Sequence, residues 1–162
     1  MLKFIHKLNE KAGAAAGWLA AILILLISYD VTVRKFFNHS SIAIQELEWH
    51  IFAVIFLLGA AFTLKRDRHV RVDVFYHNFT PKKKAWINLL GCLLFLLPFC
   101  SIILITSWKF VSTSFLIHET SPNPGGLPAR FILKAFLPVG FILLLLQGVA
   151  LLVESIQEIR RA

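Results

Sequence analysis

Cut at its charged residues, the sequence leaves four long uncharged runs, and these restrict the fold more than any other feature. Ala12 to Tyr29 holds 18 residues, Trp49 to Leu64 16, Ala85 to Trp108 24 and Ala135 to Val153 19. A helix that crosses a bilayer needs about 20 mostly apolar residues, with roughly 17–25 tolerated. Three runs meet that length directly. The second is short, and Ile42, Ala43, Ile44 and Leu47 extend it upstream. Hydrophobic residues make up 57% of the 162 residues and charged ones 16%, against about 45–50% and about 25% in soluble domains. A water-soluble globule is excluded. The expectation is an all-α integral membrane protein, one membrane domain over residues 1–162, with four transmembrane helices near 12–34, 44–64, 85–108 and 135–153.

The formal net charge of +8 matters through its placement. Three Lys precede the first run, two Lys or Arg lie in the first loop, seven in the second, three in the third and two in the tail. Alternate sides of the membrane therefore hold 12 and 5. Lys and Arg accumulate on the cytoplasmic side, so both termini and the second loop are expected there, an N-in/C-in arrangement. The basic excess then faces anionic lipid headgroups. No nucleic-acid recognition motif accompanies it, so nucleic acid is not an expected partner. The basic start and apolar run of the N-terminus imitate a signal peptide. Eighteen uncharged residues exceed the usual apolar core, however, and Ile27-Ser28-Tyr29-Asp30 is no small-residue cleavage site. A retained first span is expected.

Along the chain, Gly13-Ala14-Ala15-Ala16-Gly17 is a literal GxxxG, and Gly13, Gly17, Ala20 and Ala21 form a stripe of small residues that lets a second backbone approach closely. Gly59 with Ala60 and Ala61 makes another small patch. Asp30 and Arg34, four apart, read as a local pair where the first helix leaves the hydrocarbon. Glu46 and Glu48 open the second span, suiting the positive end of its dipole, and are equally candidates for contact with a partner outside the membrane. Cys92 and Cys100 stand eight residues apart on one helix, about 12 Å, too far for a disulfide; they read as small packing residues. Pro98 should kink a third helix that, at about 36 Å, exceeds a hydrocarbon core near 30 Å. Trp18, Trp49, Trp86 and Trp108 all fall near an expected membrane surface, as in an aromatic belt.

The connection between the second and third spans carries Val72, Phe75, Tyr76 and Phe79 at i, i+3, i+4 and i+7, one apolar helical face, after Arg66, Arg68 and Arg71. That pattern predicts an amphipathic helix over about 66–79 lying in the membrane plane, its cations on lipid headgroups. Val70, Val72 and Val74 also alternate, so an extended start stays open. Thr80 and Pro81 then supply an N-cap and a first-turn proline for the third helix.

Chemistry is sparse. No phosphate-binding glycine loop, HExxH or CxxC occurs. A haem-carrying anchor of a respiratory oxidoreductase would want two facing histidines at similar depth, and only His50 borders a span. An independent four-helix transporter would want ionisable groups near the midplane, and the uncharged runs hold none. The expected reading is a non-enzymatic protein without a cofactor or metal site.

The second half of the chain also resembles a known family. Glu46-Leu47 enters the second span, Gly59-Ala60 follows, and Arg68-His69-Val70-Arg71-Val72-Asp73 comes just after it. Pro124-Gly125-Gly126-Leu127-Pro128 and Leu137-Pro138-Val139-Gly140 then lead into the last span. With four spans, residues 12–155 resemble the small membrane subunit of tripartite ATP-independent periplasmic (TRAP) transporters, the DctQ-like family. The resemblance implies a small permease subunit in a bacterial inner membrane. It also implies two partners, a large multi-span subunit carrying the substrate and sodium sites and a periplasmic substrate-binding protein. Uptake would be sodium-driven symport of organic acids such as sialic acid or C4-dicarboxylates, with this chain bracing the scaffold of the large subunit.

Overall fold

A computed structural model describes residues 1–66 and 79–161. The first helix, α1, runs Leu2–Phe37 and ends at Asn38, whose φ of 48° is the left-handed turn that stops a helix. α2 spans Ile42–Lys65. α3 spans Pro81–Gly91; the Thr80 hydroxyl accepts the Lys83 amide at its start and Pro81 occupies the first turn, as the sequence predicts. A π-helical turn, Cys92–Leu96, joins α3 to α4, Leu97–Leu116. α5 runs Phe131–Arg161. Four helical spans, the third running through Lys82–Leu116, are long and apolar enough to cross a membrane. Each helix outruns its uncharged run, so the charged residues at the borders belong to helices too. The expected in-plane helix near 66–79 falls almost wholly outside the described residues.

The sequence predicts a kink at Pro98, and what the structure shows there is a π-helical turn just ahead of it. Its ring nitrogen cannot donate to the Leu94 carbonyl, and a straight α-helix would force a clash there. The chain widens ahead of it instead: the Leu97 amide reaches back five residues to the Cys92 carbonyl.

The helices form a row. α1 packs on α2, α2 on α5, and α5 on α3 and α4, while α1 touches α5 only lightly. Neither α1 nor α2 meets the third span substantially among the described residues. α5 is the hub: 33% of its most apolar stretch is buried, against 11% in each other span. The small core follows its two seams, with Ala61 and Leu64 from α2 and Cys100 from α4 around Leu143 and Leu144. A row has two open faces and two open edges. Trp18, Ile24 and Leu25 on α1 and Phe95, Ile105 and Trp108 on the third span are exposed accordingly.

Close approach is made by glycines on the hub. A Cβ at Gly140 would lie 2.9 Å from the Leu57 carbonyl oxygen of α2. One at Gly148 would lie 2.9 Å from Leu96 of the π turn, beside the Cys92 thiol that donates to the Gly148 carbonyl at 3.2 Å. Between helices in lipid the hydrophobic drive is weak, and such van der Waals fit carries the association.

Candidate functional site

Polar side chains cluster at the two ends of the row. At the end holding the termini, α1, α2 and α5 are tied together. His6 Nε2 lies 2.8 Å from Glu154 Oε1. Lys65 Nζ donates to Glu10 Oε1 at 2.6 Å and to the His6 carbonyl at 3.1 Å. Asn9 and Gln147 are fully buried and joined at 2.8 Å. A buried amide pair in a membrane domain must find its partner inside the protein, because lipid offers none.

The opposite end carries the connection between α4 and α5. Its ladder is short: Arg130 donates its amide to the Glu119 carbonyl at 2.9 Å and Ser121 to the Leu127 carbonyl at 3.1 Å. Pro122, Pro124 and Pro128 cannot donate, so the loop needs a side-chain acceptor, and Glu46 is that acceptor. Buried in the first turns of α2, its carboxylate accepts from Ser121 Oγ, from Asn123 Nδ2 at 3.0 Å and from the Leu127 amide at 2.8 Å. Gly126 makes room for this: a Cβ there would meet Ser121 at 2.4 Å and Glu46 Oε2 at 2.8 Å. Gly125 turns the chain at φ 80°. Glu119 forms an ion pair with Lys134, which holds its carboxyl below the usual carboxylate range. Lys134 also sits over the Phe110 ring and Arg130 over the Trp49 ring.

The expected site residues are distributed unevenly over this framework. Gly13 packs inside the chain, since a Cβ there would lie 2.5 Å from the Phe62 ring of α2. Gly17 and Gly59 meet nothing within 4 Å. Ala20 is half-buried and Ala21 exposed. The GxxxG is therefore divided, one glycine on α2 and the other facing outward. Asp30 is buried and pairs with Arg34 at 3.3 Å, as the spacing suggests. Glu48 is half-buried, and its Oε1 has no hydrogen-bond partner among the described residues. Glu46, expected as a dipole complement or partner contact, has both oxygens engaged by this chain's own loop. Arg66 lies over the Phe62 ring at 5.2 Å. Arg68, Arg71, Val72, Phe75 and Tyr76 lie outside the described residues. Cys92 and Cys100 are buried free thiols. No group of three or more His, Cys, Asp or Glu that could hold a metal occurs among the described residues.

The sequence points to Gly140 only through Leu137-Pro138-Val139-Gly140, without the close contact it makes with α2, and it discloses neither the contact at Gly148 nor the clamp on the loop. The clamp joins Glu46 to residues more than seventy positions later, and only the Ser/Asn/Gly content of the loop hinted at an acceptor.

The architecture defines a multi-pass membrane protein made of four helical spans in one layer. Residues 4–158 match the family described as tripartite ATP-independent periplasmic transporters, DctQ component, and the chain belongs to that family. A search of individually curated proteins gave no match. The protein is thus a component of a TRAP transporter, a family not known for catalysis.

Proposed function

We propose that this chain is the non-catalytic small transmembrane subunit that braces the scaffold of the large subunit in a sodium-dependent TRAP transporter for organic acids. It would sit in a bacterial inner membrane beside a large multi-span subunit and beneath a periplasmic substrate-binding protein. The observation that carries the reading is the open row of helices. A layer one helix thick, with apolar residues exposed on both edges and a core confined to two seams, buries little by itself. Its shape suits the flank of a larger body, and a large subunit that moves cargo through lipid needs a stationary frame. Gly17 and Ala21, outward-facing small residues on the edge helix, support α1 as a packing face. Gly59 is the corresponding open position on α2.

The asymmetry of Lys and Arg supports cytoplasmic termini. Arg66, Arg68 and Arg71, with Val72, Phe75 and Tyr76, then meet the headgroups of the inner leaflet. The clamped loop faces the periplasm in that orientation. Glu46 serves a docking surface through the rigid loop it holds, and Glu48 lies on another side of the same helix. The test is gentle detergent purification from native membranes. A stoichiometric large polytopic protein should accompany the chain, and Gly17→Leu should reduce its recovery. A chain that purifies alone from mild detergent, or a Gly17→Leu variant that assembles normally, would count against the reading.

A further inference from the structure

We propose that the groove between α2, α4 and α5 at the loop end binds a single zwitterionic glycerophospholipid, with Arg130 receiving its phosphodiester. The groove has a volume of about 480 Å³. Ala53 and Leu57 of α2 and Leu133 and Leu137 of α5 form its apolar walls, and Trp49 and Phe110 stand at the rim. Trp49, Ala53 and Leu57 follow one another at helical spacing, so the wall descends about 12 Å from the loop end into the hydrocarbon depth. That suits an acyl chain hanging from a headgroup.

The polar rim specifies what hangs there. Arg130 is held over the Trp49 ring, 5.6 Å from its centroid. Its charge is felt by Glu46 and Glu119, but among the described residues its guanidinium is placed in close contact with the Trp49 ring and with no carboxylate within ion-pair distance. The carboxylates near it are already occupied: Glu46 by three donors of the loop, Glu119 by Lys134. Five N–H donors in a fixed plane are therefore presented at the mouth of an apolar groove, and a phosphodiester accepts from such a fork in pairs. The Trp49 ring, within cation–π range, favours this placement of the guanidinium at the groove mouth. The two cations and two carboxylates of the rim also balance, so a free phosphate dianion gains little there. A headgroup of no net charge, whose chain fills the groove, gains both contacts.

The test uses the full-length chain in its native membranes, with whatever partners it holds there. A phosphatidylethanolamine carrying a photoactivatable group in its acyl chain is incorporated, and adducts are mapped by peptide mass spectrometry. Adducts should concentrate on residues 49–57 and 133–137. Arg130→Ala should reduce them about tenfold, as loss of charge-assisted hydrogen bonds implies. Ala53→Trp, which fills the groove and keeps the guanidinium, should reduce them comparably. Lys35→Ala, an exposed cation at the same end that does not line this groove, should leave them unchanged, and excess inorganic phosphate should not compete. Adducts indifferent to both Arg130→Ala and Ala53→Trp would overturn the proposal, as would an equal fall in Lys35→Ala or displacement by phosphate. So would a protein cross-link from Leu137→Cys with no lipid adduct, which would assign the groove to a partner helix.

Discussion

Gly140 is the position where a single methyl on one helix would meet the backbone of another. A Cβ there would sit 2.9 Å from both the Cβ and the carbonyl oxygen of Leu57, and 3.2 Å from its carbonyl carbon. Carbon pairs prefer about 3.5–4.0 Å, so α2 and α5 must part by more than half an ångström, and backbone cannot swing aside as a side chain can. Overpacking of this kind costs about 1–3 kcal/mol. Replacing a helical glycine by alanine meanwhile returns about 1 kcal/mol of backbone entropy. Gly140→Ala should therefore be destabilised by about 0–2 kcal/mol. Gly140→Leu gains similar propensity but carries more atoms into the same contact, so it should lose more. Gly17→Ala meets nothing within 4 Å in this chain and should keep or gain stability in the isolated subunit. The assay is unfolding of the purified chain in mixed micelles of mild and denaturing detergent, followed by tryptophan fluorescence. A Gly140→Leu variant as stable as the wild type, or Gly17→Ala more damaging than Gly140→Ala, would refute the reasoning.

The loop end and the buried amide pair make further predictions. Glu46→Gln keeps the shape but turns an acceptor into a partial donor opposite Asn123 and the Leu127 amide, so residues 121–127 should exchange amide hydrogens faster while the spans stay protected; unchanged exchange would remove Glu46 from the role of clamp. Because Lys134 holds the folded-state pKa of Glu119 below its ordinary value, the pair contributes stability that is full above about pH 4.3 and is lost as pH falls through the lower folded value. Lys134→Met should flatten that acid dependence in a pH series of the same unfolding assay. Gln147→Leu removes the bond to Asn9 and should weaken the fold by about 0.6–1.7 kcal/mol, without moving the loop.

What the sequence disclosed, and what it hid, follow physical lines. Uncharged length is a local property, so the four spans and the Thr80–Pro81 helix start could be read directly. Less direct was what happens beyond the uncharged runs: α1 and α5 continue through Glu10 and Glu154, where Glu10 meets Lys65, the last residue of α2, and Glu154 meets His6. The Gly13–Gly17 motif announced a packing face but not which partner each glycine meets, since that depends on how α1 is rotated against Phe62. Asp30 could be paired with Arg34 from spacing alone, whereas the clamp at Glu46 depends on a loop that arrives from the far end of the chain. Long-range polar contacts carry no period, so they stayed hidden until the helices were placed side by side.

The central claim, that this chain frames a transporter and does no transport itself, is tested most directly in proteoliposomes. A labelled organic acid is supplied outside with a sodium gradient, and uptake is compared for this chain alone and for this chain with its large subunit and binding protein. The account predicts uptake only from the three components together, lost when this chain is omitted. Uptake by this polypeptide alone, or full uptake without it, would contradict the account.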